Sequence, residues 1–400
     1  MNILFIAPYV PSRIRVRPYH FLKELAKKHK LYVVVLAEPG GKVFEGTDEI
    51  KELSEDFRII PHNKLMAIYN ALKSLPTKKP MCVGYCQSSI MQENISKAIA
   101  GIPIDIIHIE HLRASNYSPQ YFRAPIVFDS VDCLTSLFSQ MCKMKKNPIS
   151  KFVNLEETYK LKKYEPEIIN KFNRTIITSE QDKKALLELD SKLKIDVVPN
   201  GVDTEYFKPK NIKKIPTRII FSGKMGYAPN IQAAKWFANN VFPILKDKWQ
   251  NTEFIIAGSN PNKDIIKLGE IQGITITGYV DDLRPYLESS IVAVAPMMTA
   301  VGVQNKILES MSIGLPVITT QIASKPLGDG CEGLIVLDNP KEIADEISNI
   351  IQNPQLSIEK GKIAREYVIK NFSWEASVEK LEKIYYELVE ERKKGIVEIV

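Results

Sequence analysis

The sequence contains no long hydrophobic run and few cysteines. No segment approaches the roughly 20 continuous apolar residues of a membrane-spanning helix, so we expect a soluble chain. The five cysteines are an odd number scattered over 400 residues, and no histidine pattern accompanies them. This argues against a disulfide framework and a zinc site, and it predicts reduced, mostly buried thiols. Short repeats and low-complexity tracts are also absent from the sequence.

The N-terminus lacks the features of a secretory signal. MNILFIAPYVPSRIR has no basic region ahead of its apolar run and no small-residue cleavage site. We therefore interpret the run as a first strand and expect the protein in the cytoplasm.

The composition is that of an ordinary globular protein with sizeable cores, at 44% apolar and 25% charged residues. The net charge is +7, but the lysines are spread along the chain, which argues against a nucleic-acid partner. Lysines do cluster at 143–151 and 160–163. Two interpretations remain: solvated helix faces, or peripheral contact with anionic lipid on the inner face of the cell membrane.

Short apolar, β-branched runs alternate with helical patterns along the chain, which predicts βα units on parallel sheets. The runs in the first half are NILFIA, LYVVVLA, IDIIHIE, PIVFDS, TIITS and IDVVPN. After a polar, proline-containing stretch, the runs are RIIFSG, EFIIAG, ITITGYV, IVAVAPM, PVITT and GLIVL. The pattern predicts an α/β protein of two doubly wound, Rossmann-like domains.

The domain boundaries follow from this alternation. We predict a first domain at 1–203, a second at 204–373, and a linker around 202–216. The last segment, FSWEASVEKLEKIYYELVEE, predicts a helix capped by Ser373 that completes the first domain as residues 374–400. Ligands of open α/β sheets bind beyond the carboxyl ends of the strands, so two facing sheets place the site in the cleft between them.

The run AVGVQNKILESMSIGLPVITT, residues 300–320, follows a predicted strand of the second domain. It predicts a loop, a helix VQNKILESMSI closed by Gly314, and another strand. Free amides near Val303 and Gln304 carry partial positive charge suited to a phosphate, and Gly302 lets the backbone approach it closely.

Lys306 and Glu309 lie three residues apart in that helix and project from one face. The lysine suits a diphosphate, and the carboxylate suits the vicinal hydroxyls of a ribose, from which it can accept two hydrogen bonds. A plain ion pair on an exposed helix explains the same spacing. The spacing alone leaves both interpretations open.

A family resemblance favours the first interpretation. NKILESMSIGLPVITT, preceded by PNGVD and FSGKMGYAPN, resembles the nucleotide-sugar-binding half of the family-4 glycosyltransferases, which have the GT-B fold. The pattern G-x-Q-N-K-x-L-E is similar to that of a subgroup containing bacterial polysaccharide-biosynthesis sugar transferases. The resemblance implies a retaining, metal-independent glycosyltransferase without cofactor, which moves a sugar from a UDP- or GDP-sugar to a glycan or lipid-linked acceptor.

The resemblance also implies roles for residues of the donor site. Glu309 would bind the ribose, and the family's other motif glutamate would fall at Val301. Because that glutamate is absent, the backbone amides of Gly302 and Val303 would contact the donor sugar. Lys224 and Lys306 would stabilise the leaving diphosphate.

The same region supplies further donor-site candidates. Gly223 would give a flexible backbone beside the diphosphate, and Tyr279 and Val280 would contact the nucleobase. Asp281 and Asp282 could be a metal pair, but a helix cap at Asp281 is the preferred interpretation.

The first domain would bind the acceptor. Arg15 and Arg17 follow the first strand and suit a phosphate-bearing acceptor, with Tyr19 at the start of the next helix, although a solvent-exposed loop explains the arginines equally.

Polar residues follow two further strands of that domain. We predict His111 as the leading polar residue of the active site, whereas His108 lies within the strand as a core histidine. The other candidates for acceptor contact are Glu110, Arg113, Asp129 and Asp132. For Asp129 and Asp132, structural hydrogen bonding to the neighbouring turn is an equal alternative.

Three other functions compete with glycosyl transfer. A sugar-nucleotide epimerase shares the fold but needs additional acid and base carboxylates around the sugar. A non-catalytic nucleotide-sugar-binding protein is consistent with Val301. Nucleic-acid binding is the remaining alternative, and we expect no nucleic-acid partner.

Overall fold

The structure is a computed structural model in which residues 1–37, 46–119, 123–144, 148–210, 212–299, 302–328, 330–331 and 333–395 are described. The chain forms two compact units. Unit 1 comprises Met1–Asn200 with Ser377–Val400, and unit 2 comprises Gly201–Ala376. The predicted domains differ from these units by a few residues at each boundary.

Unit 1 is built on a seven-stranded parallel sheet in the order β3-β2-β1-β4-β5-β6-β7. Its strands are β1 (Asn2–Ala7), β2 (Lys30–Leu36), β3 (Asp56–Ile60), β4 (Ile106–Glu110), β5 (Ile126–Val131), β6 (Arg174–Ile177) and β7 (Ile195–Val197). The central strands are apolar along their length because helices cover both faces of the sheet. Six strands were predicted from the sequence, whereas β3, a partly exposed edge strand, was not.

The helices of unit 1 connect successive parallel strands. They are α1 (Val16–Leu25), α2 (Thr47–Glu52), α3 (Lys64–Lys73), α4 (Met81–Tyr85), α5 (Ser89–Gly101), α6 (Leu134–Met144), α7 (Pro148–Ile169) and α8 (Glu180–Leu187). A 3-10 helix spans Leu112–Tyr117.

The last helix of the chain packs into unit 1. The hydroxyl of Ser373 accepts a hydrogen bond from the amide of Ala376 at 3.0 Å and caps the helix, as predicted. The Tyr385 hydroxyl lies 2.7 Å from His108 Nδ1, and Glu382 lies 2.9 Å from His29 Nε2. The helix therefore contributes buried polar contacts to a unit that begins some 370 residues earlier in the chain.

Unit 2 repeats the same architecture on a six-stranded parallel sheet, in the order β10-β9-β8-β11-β12-β13. Its strands are β8 (Arg218–Ser222), β9 (Glu253–Ala257), β10 (Ile274–Gly278), β11 (Val292–Ala295), β12 (Val317–Thr319) and β13 (Leu334–Val336). Every one of them was predicted. The two sheets confirm the prediction of two doubly wound, Rossmann-like domains.

Helices flank this second sheet as they do the first. They are α9 (Ala228–Asn240), α10 (Phe242–Lys248), α11 (Lys263–Leu268), α12 (Arg284–Glu288), α13 (Asn305–Ser312), α14 (Gln321–Ser324), α15 (Pro340–Gln352) and α16 (Pro354–Phe372), with α17 (Trp374–Lys393) as the helix that ends in unit 1.

The predicted linker at 202–216 packs against unit 2 in its described residues. The amide of Lys210 donates to the buried Glu288 carboxylate, and the amide of Ile215 donates to the Ser289 carbonyl at 2.8 Å. The segment is therefore anchored to unit 2 by backbone hydrogen bonds.

The five cysteines are free thiols, three of them buried, which confirms the prediction. Within the described ranges, no helix combines the length and the apolar character needed to cross a bilayer.

Candidate functional site

Both sheets contain the feature that positions ligand sites in open α/β folds. Strand order reverses between β1 and β4 in unit 1 and between β8 and β11 in unit 2. Ligands bind beyond the carboxyl ends of the strands at such a switch point. The candidate residues are therefore those that follow these four strands and their neighbours.

Glycines bring two loops of unit 2 into contact. Gly258 follows β9, and a Cβ atom there would lie 1.7 Å from the carbonyl oxygen of Gly223, which follows β8. A Cβ at Gly223 would lie 2.8 Å from Asn230 Nδ2 and 3.2 Å from Lys306 Cε. Only glycine fits at these two positions, so the backbone of the β8 loop and the Lys306 side chain are held close together.

Helix α13 begins two residues later than predicted. It starts at Asn305, with Gln304 as its N-cap, so Val303 and Gln304 belong to the preceding loop. No side chain caps the first amides, and Gly302 has a φ of 61°. The amides of Asn305 and Lys306 thus carry the partial positive charge of a helix N-terminus. Val301 lies outside the described residues.

Lys306 is partly buried among residues of other elements. Its ammonium lies 2.5 Å from Asn230 Oδ1, 3.6 Å from Met297 Sδ and 5.0 Å from the centre of the Phe221 ring. Burial lowers the pKa of Lys306 to about 8, although nearby Glu309 opposes this shift. The side chain is therefore still largely cationic at neutral pH and is held in place by α9, β8 and the loop after β11.

Asn230 is the residue of this site that the sequence interpretation missed. It was assigned a structural role at the start of α9, but its amide group both accepts from Lys306 and donates to the Lys224 carbonyl at 3.0 Å. The available signal was its place in the first turn of the helix after β8, where a polar side chain faces the switch point.

Glu309 lies one turn beyond Lys306 on the same helix. Burial raises the pKa of Glu309 to about 7, against the opposing effect of Lys306. Lys306 bonds to Asn230 instead, and within the described part of the chain no ion pair joins it to Glu309. The interpretation of the two residues as a plain surface ion pair is therefore wrong.

The other predicted donor-site residues surround this pair less tightly. Gly223 lies beside the Lys306 side chain, whereas Lys224 is exposed and its carbonyl accepts from Asn230. Tyr279 follows β10 and is 74% exposed, and Val280 is partly exposed beside it. Tyr279 thus presents an uncovered ring at the carboxyl edge of the sheet.

The helix-cap prediction at Asp281 is wrong, because the N-cap of α12 is Leu283 and no side chain caps the helix. Asp282 Oδ1 accepts from the Arg284 amide at 2.9 Å, and the same carboxylate pairs with the Arg284 guanidinium at 2.7 Å. Asp282 is therefore occupied by Arg284 at the start of α12.

In unit 1, the carboxyl ends of β1 and β4 bring three polar side chains together. The Tyr9 hydroxyl donates to Glu110 Oε1 at 2.7 Å, and the Arg15 guanidinium lies 4.8 Å from the centre of the Tyr9 ring. Burial and the neighbouring Asp129 raise the pKa of Glu110, whose Oε2 is buried without a hydrogen-bond partner in the described structure. Tyr9 was not predicted, although it directly follows β1.

His111 is neutral in this arrangement. Its Nδ1 accepts from the Arg113 amide at 3.1 Å, so the ring proton lies on Nε2. Burial, together with Arg113 and Arg15, lowers the pKa of His111 to about 3. The backbone of His111 has a φ of 70° and donates to the Asp129 carbonyl at 2.7 Å. His111 therefore offers a hydrogen-bond donor rather than a proton-accepting base.

Three of the predicted acceptor-side residues make internal contacts. Arg17 and Asp129 are 5% and 0% exposed and form an ion pair of 2.7 Å. Arg17 also donates to the Val198 carbonyl at 3.0 Å. Tyr19 is buried, and its hydroxyl donates to Glu49. These contacts lie within unit 1, although Arg17 Nη2 is buried without a hydrogen-bond partner among the described residues. The acceptor-side roles of the three residues stay a prediction.

The remaining predictions for unit 1 divide between surface and core. Asp132 is exposed after β5, and Arg113 is partly buried in the 3-10 helix. His108 is fully buried, stacks on Phe5 with ring centres 4.5 Å apart, and accepts from or donates to Tyr385. Burial lowers the pKa of His108 to about 3, which confirms that it is a core histidine.

Comparison with known proteins finds a family match within unit 2. Residues 216–353, which contain the Gly223, Asn230, Lys306 and Glu309 positions, match the family model described as "Glycosyl transferases group 1".

Two curated relatives are similar over parts of their length. The D-inositol 3-phosphate glycosyltransferase of Corynebacterium jeikeium is 27% identical over 252 residues, which cover 56% of this chain and 59% of the relative. The UDP-Gal:alpha-D-GlcNAc-diphosphoundecaprenol alpha-1,3-galactosyltransferase of Escherichia coli is 24% identical over 247 residues, which cover 54% of this chain and 60% of the relative. The alignments thus span less than two thirds of these relatives.

A solved structure is similar over nearly the whole chain. Anabaena HepE in complex with UDP superposes with a TM-score of 0.61 at 14% identity, covering 97% of this chain and 100% of HepE. At this identity the likeness concerns the fold. The chain therefore has the GT-B fold of two Rossmann-like domains, and its unit 2 contains the segment similar to group 1 glycosyl transferases.

Proposed function

We propose that the protein is a retaining glycosyltransferase that uses a nucleotide sugar. The observation that carries the proposal is the Lys306 and Glu309 pair on α13, which lies after a strand at the switch point and within the matched segment. Both side chains are partly buried, and they do not form an ion pair with each other. A partly buried cation and a partly buried carboxylate that do not pair with each other suit a ligand that carries negative charge and hydroxyl groups.

In this proposal unit 2 binds the donor. The diphosphate contacts the uncapped amides of α13 and the Lys306 ammonium, which Asn230 orients. Glu309 accepts hydrogen bonds from the ribose hydroxyls, and the exposed Tyr279 contacts the base. UDP is the first nucleotide to test because HepE, which shares the fold, was solved with UDP.

The chemical step exchanges one bond at the anomeric carbon. The bond from that carbon to the diphosphate oxygen breaks, and the acceptor hydroxyl oxygen forms a new bond on the same face. The hydroxyl proton passes to the departing diphosphate. Charge builds up on the diphosphate, so the α13 amides, Lys306 and the exposed Lys224 supply the main stabilisation, and no metal is required in this scheme.

Unit 1 binds the acceptor in this proposal, with Arg15 for a phosphate and His111 Nε2–H for a hydroxyl. The two relatives are named for an inositol phosphate and a diphosphoundecaprenol-linked sugar, which supports an acceptor bearing phosphate. We propose a lipid-linked saccharide of cell-surface polysaccharide biosynthesis, reached from the cytoplasm with peripheral contact to an anionic membrane.

The test separates donor binding from transfer. Calorimetry with UDP, GDP and ADP identifies the nucleotide, and Glu309→Ala should greatly weaken the binding of the one that is bound. Glu270→Ala, an exposed carboxylate of the same unit, is the matched control. Nucleotide release that depends on an added acceptor supports transfer, whereas sugar isomerisation without acceptor would indicate an epimerase.

A further inference from the structure

Helix α3 leaves almost all of its side chains uncovered. Ala67 is its only buried residue, although seven of its ten residues are large and apolar or alanine. Leu65 is 79% exposed, and the other large apolar side chains in and just after the helix are also exposed: Met66, Ile68, Tyr69, Leu72 and Leu75. A contiguous apolar surface of this kind is unusual on a monomer and marks an interaction site.

Helix α7 adds a second exposed apolar row beside it. Phe152, Leu155 and Tyr159 are exposed and lie at i, i+3 and i+7, on one side of the helix. The Lys160 ammonium donates to the carbonyls of Ser74 and Leu75, each at 2.9 Å, and so joins α7 to the end of α3. We call these exposed side chains of α3 and α7 the apolar face.

The charge around α3 is positive. Residues 57–92, which include α3, contain no aspartate or glutamate and five cationic residues. On α7, Lys151 is exposed next to Phe152, and Glu156 is paired with Lys160 at 2.5 Å. Lys64 and Lys73 at the two ends of α3 are exposed. Large apolar side chains beside lysines, with the neighbouring acid Glu156 already paired, are the composition of a helix that lies in a membrane interface.

From this surface we infer that the apolar face of α3 and α7 docks unit 1 on an anionic lipid bilayer. Leucine, phenylalanine and tyrosine side chains enter the boundary between headgroups and acyl chains, and the lysines contact the anionic headgroups. A second copy of the chain is disfavoured as the occupant because it would bring equal positive charge to the contact. The inference rests on the proposed function in that a lipid-linked acceptor lies at such a surface.

The test is co-sedimentation of the full chain with vesicles, in the absence of any donor or acceptor. The protein should bind vesicles of phosphatidylcholine with phosphatidylglycerol, and binding should fall with added salt. Leu65→Ser with Leu72→Ser should weaken the partition at least about tenfold, and Lys73→Gln should weaken it about fivefold. Matched controls in unit 2 are Ile266→Ser and Lys370→Gln, at similarly exposed positions.

Three results would overturn the inference: no binding to the anionic vesicles, equal binding to phosphatidylcholine alone, or equal binding by the α3 variants and the controls. If sedimentation velocity instead showed a dimer that the leucine variants dissolve, the face would be an interface between copies. Calorimetry with UDP on the same samples reports the donor site separately, so a failure of the proposed function is distinguishable from a failure of docking.

Discussion

The two units have the same strand order but opposite chemistry at the carboxyl ends of their strands. In unit 1 the strand ends carry buried ionisable side chains, with Glu110 and Asp129 fully buried and Arg17 nearly so. In unit 2 the corresponding loops carry glycines, and the charged pair lies on a helix beyond them. One architecture therefore supports a tightly packed polar cluster in one case and an open backbone surface in the other.

Strand topology determines where a site lies, and the side chains determine the chemistry at that place. The reversal of strand order places a site at the same edge in both sheets. In unit 2, glycines let the backbone of two loops approach closely, whereas in unit 1 Arg17 and Asp129 balance each other inside the fold. Charge near a strand end is thus not by itself a sign of ligand binding.

The largest effect is expected from a substitution that breaks the polar cluster of unit 1. Asp129→Ala leaves the Arg17 guanidinium buried without its counter-charge, which costs about 3–5 kcal/mol of unfolding free energy. Urea unfolding followed by circular dichroism measures this loss. Asp196→Ala is the control, because its pairing with Arg174 is partly exposed and contributes about 1 kcal/mol or less. Equal losses in the two variants would contradict a structural role for Asp129.

The location of the tryptophans sharpens this comparison. Trp236, Trp249 and Trp374 all lie in unit 2, so tryptophan fluorescence follows that unit separately from the circular dichroism of the whole chain. We expect the lower urea midpoint of the Asp129→Ala variant to appear in circular dichroism rather than in tryptophan fluorescence.

The next effect concerns the donor site of unit 2. Glu309→Ala should weaken nucleotide affinity about 30- to 150-fold, because it removes hydrogen bonds to a charged acceptor worth about 2–3 kcal/mol. Stability should change little, since no hydrogen bond among the described residues depends on this carboxylate. Calorimetry measures the affinity, and an unchanged affinity would show that α13 is not the donor site.

The pH dependence of nucleotide affinity should be bell-shaped. Glu309 becomes protonated as the pH falls through about 7, and Lys306 loses its charge as the pH rises through about 8. Affinity should therefore be highest between these values and fall by up to about tenfold per pH unit on either side. Glu309→Gln should remove the acidic limb, apart from the titration of the nucleotide itself, and Lys306→Arg should move the alkaline limb to higher pH. Identical profiles in all three proteins would refute the assignment.

The smallest expected effect is at His111. His111→Leu removes the Nε2–H donor and should lower transfer about tenfold, whereas His111→Gln, which keeps an N–H donor, should retain more activity. Since the pKa of His111 is about 3, its ionisation should leave the rate unaffected around neutral pH. A rate limb near the ordinary histidine pKa that disappears in both variants would indicate a proton-transfer role instead.

Much of the fold could be predicted from the sequence because strand and helix periodicities are local. The strands of unit 2 and all of unit 1 except β3 were found in this way. β3 was missed because DFRII is a short, partly exposed edge strand whose pattern is weak. The start of α13 was placed two residues early because Gly302 and Gln304 form a loop that the apolar pattern does not mark.

The sequence by itself determined the two doubly wound domains, the Lys306 and Glu309 spacing and the position of His108 within a strand, because each depends on neighbours a few residues away. Only the tertiary structure decided that Arg17 pairs with Asp129, 112 residues away, and that Asn230 rather than Glu309 binds Lys306. The physical reason is that pairing between distant segments depends on which side chains the packed elements bring within hydrogen-bonding distance, and no local pattern records that choice.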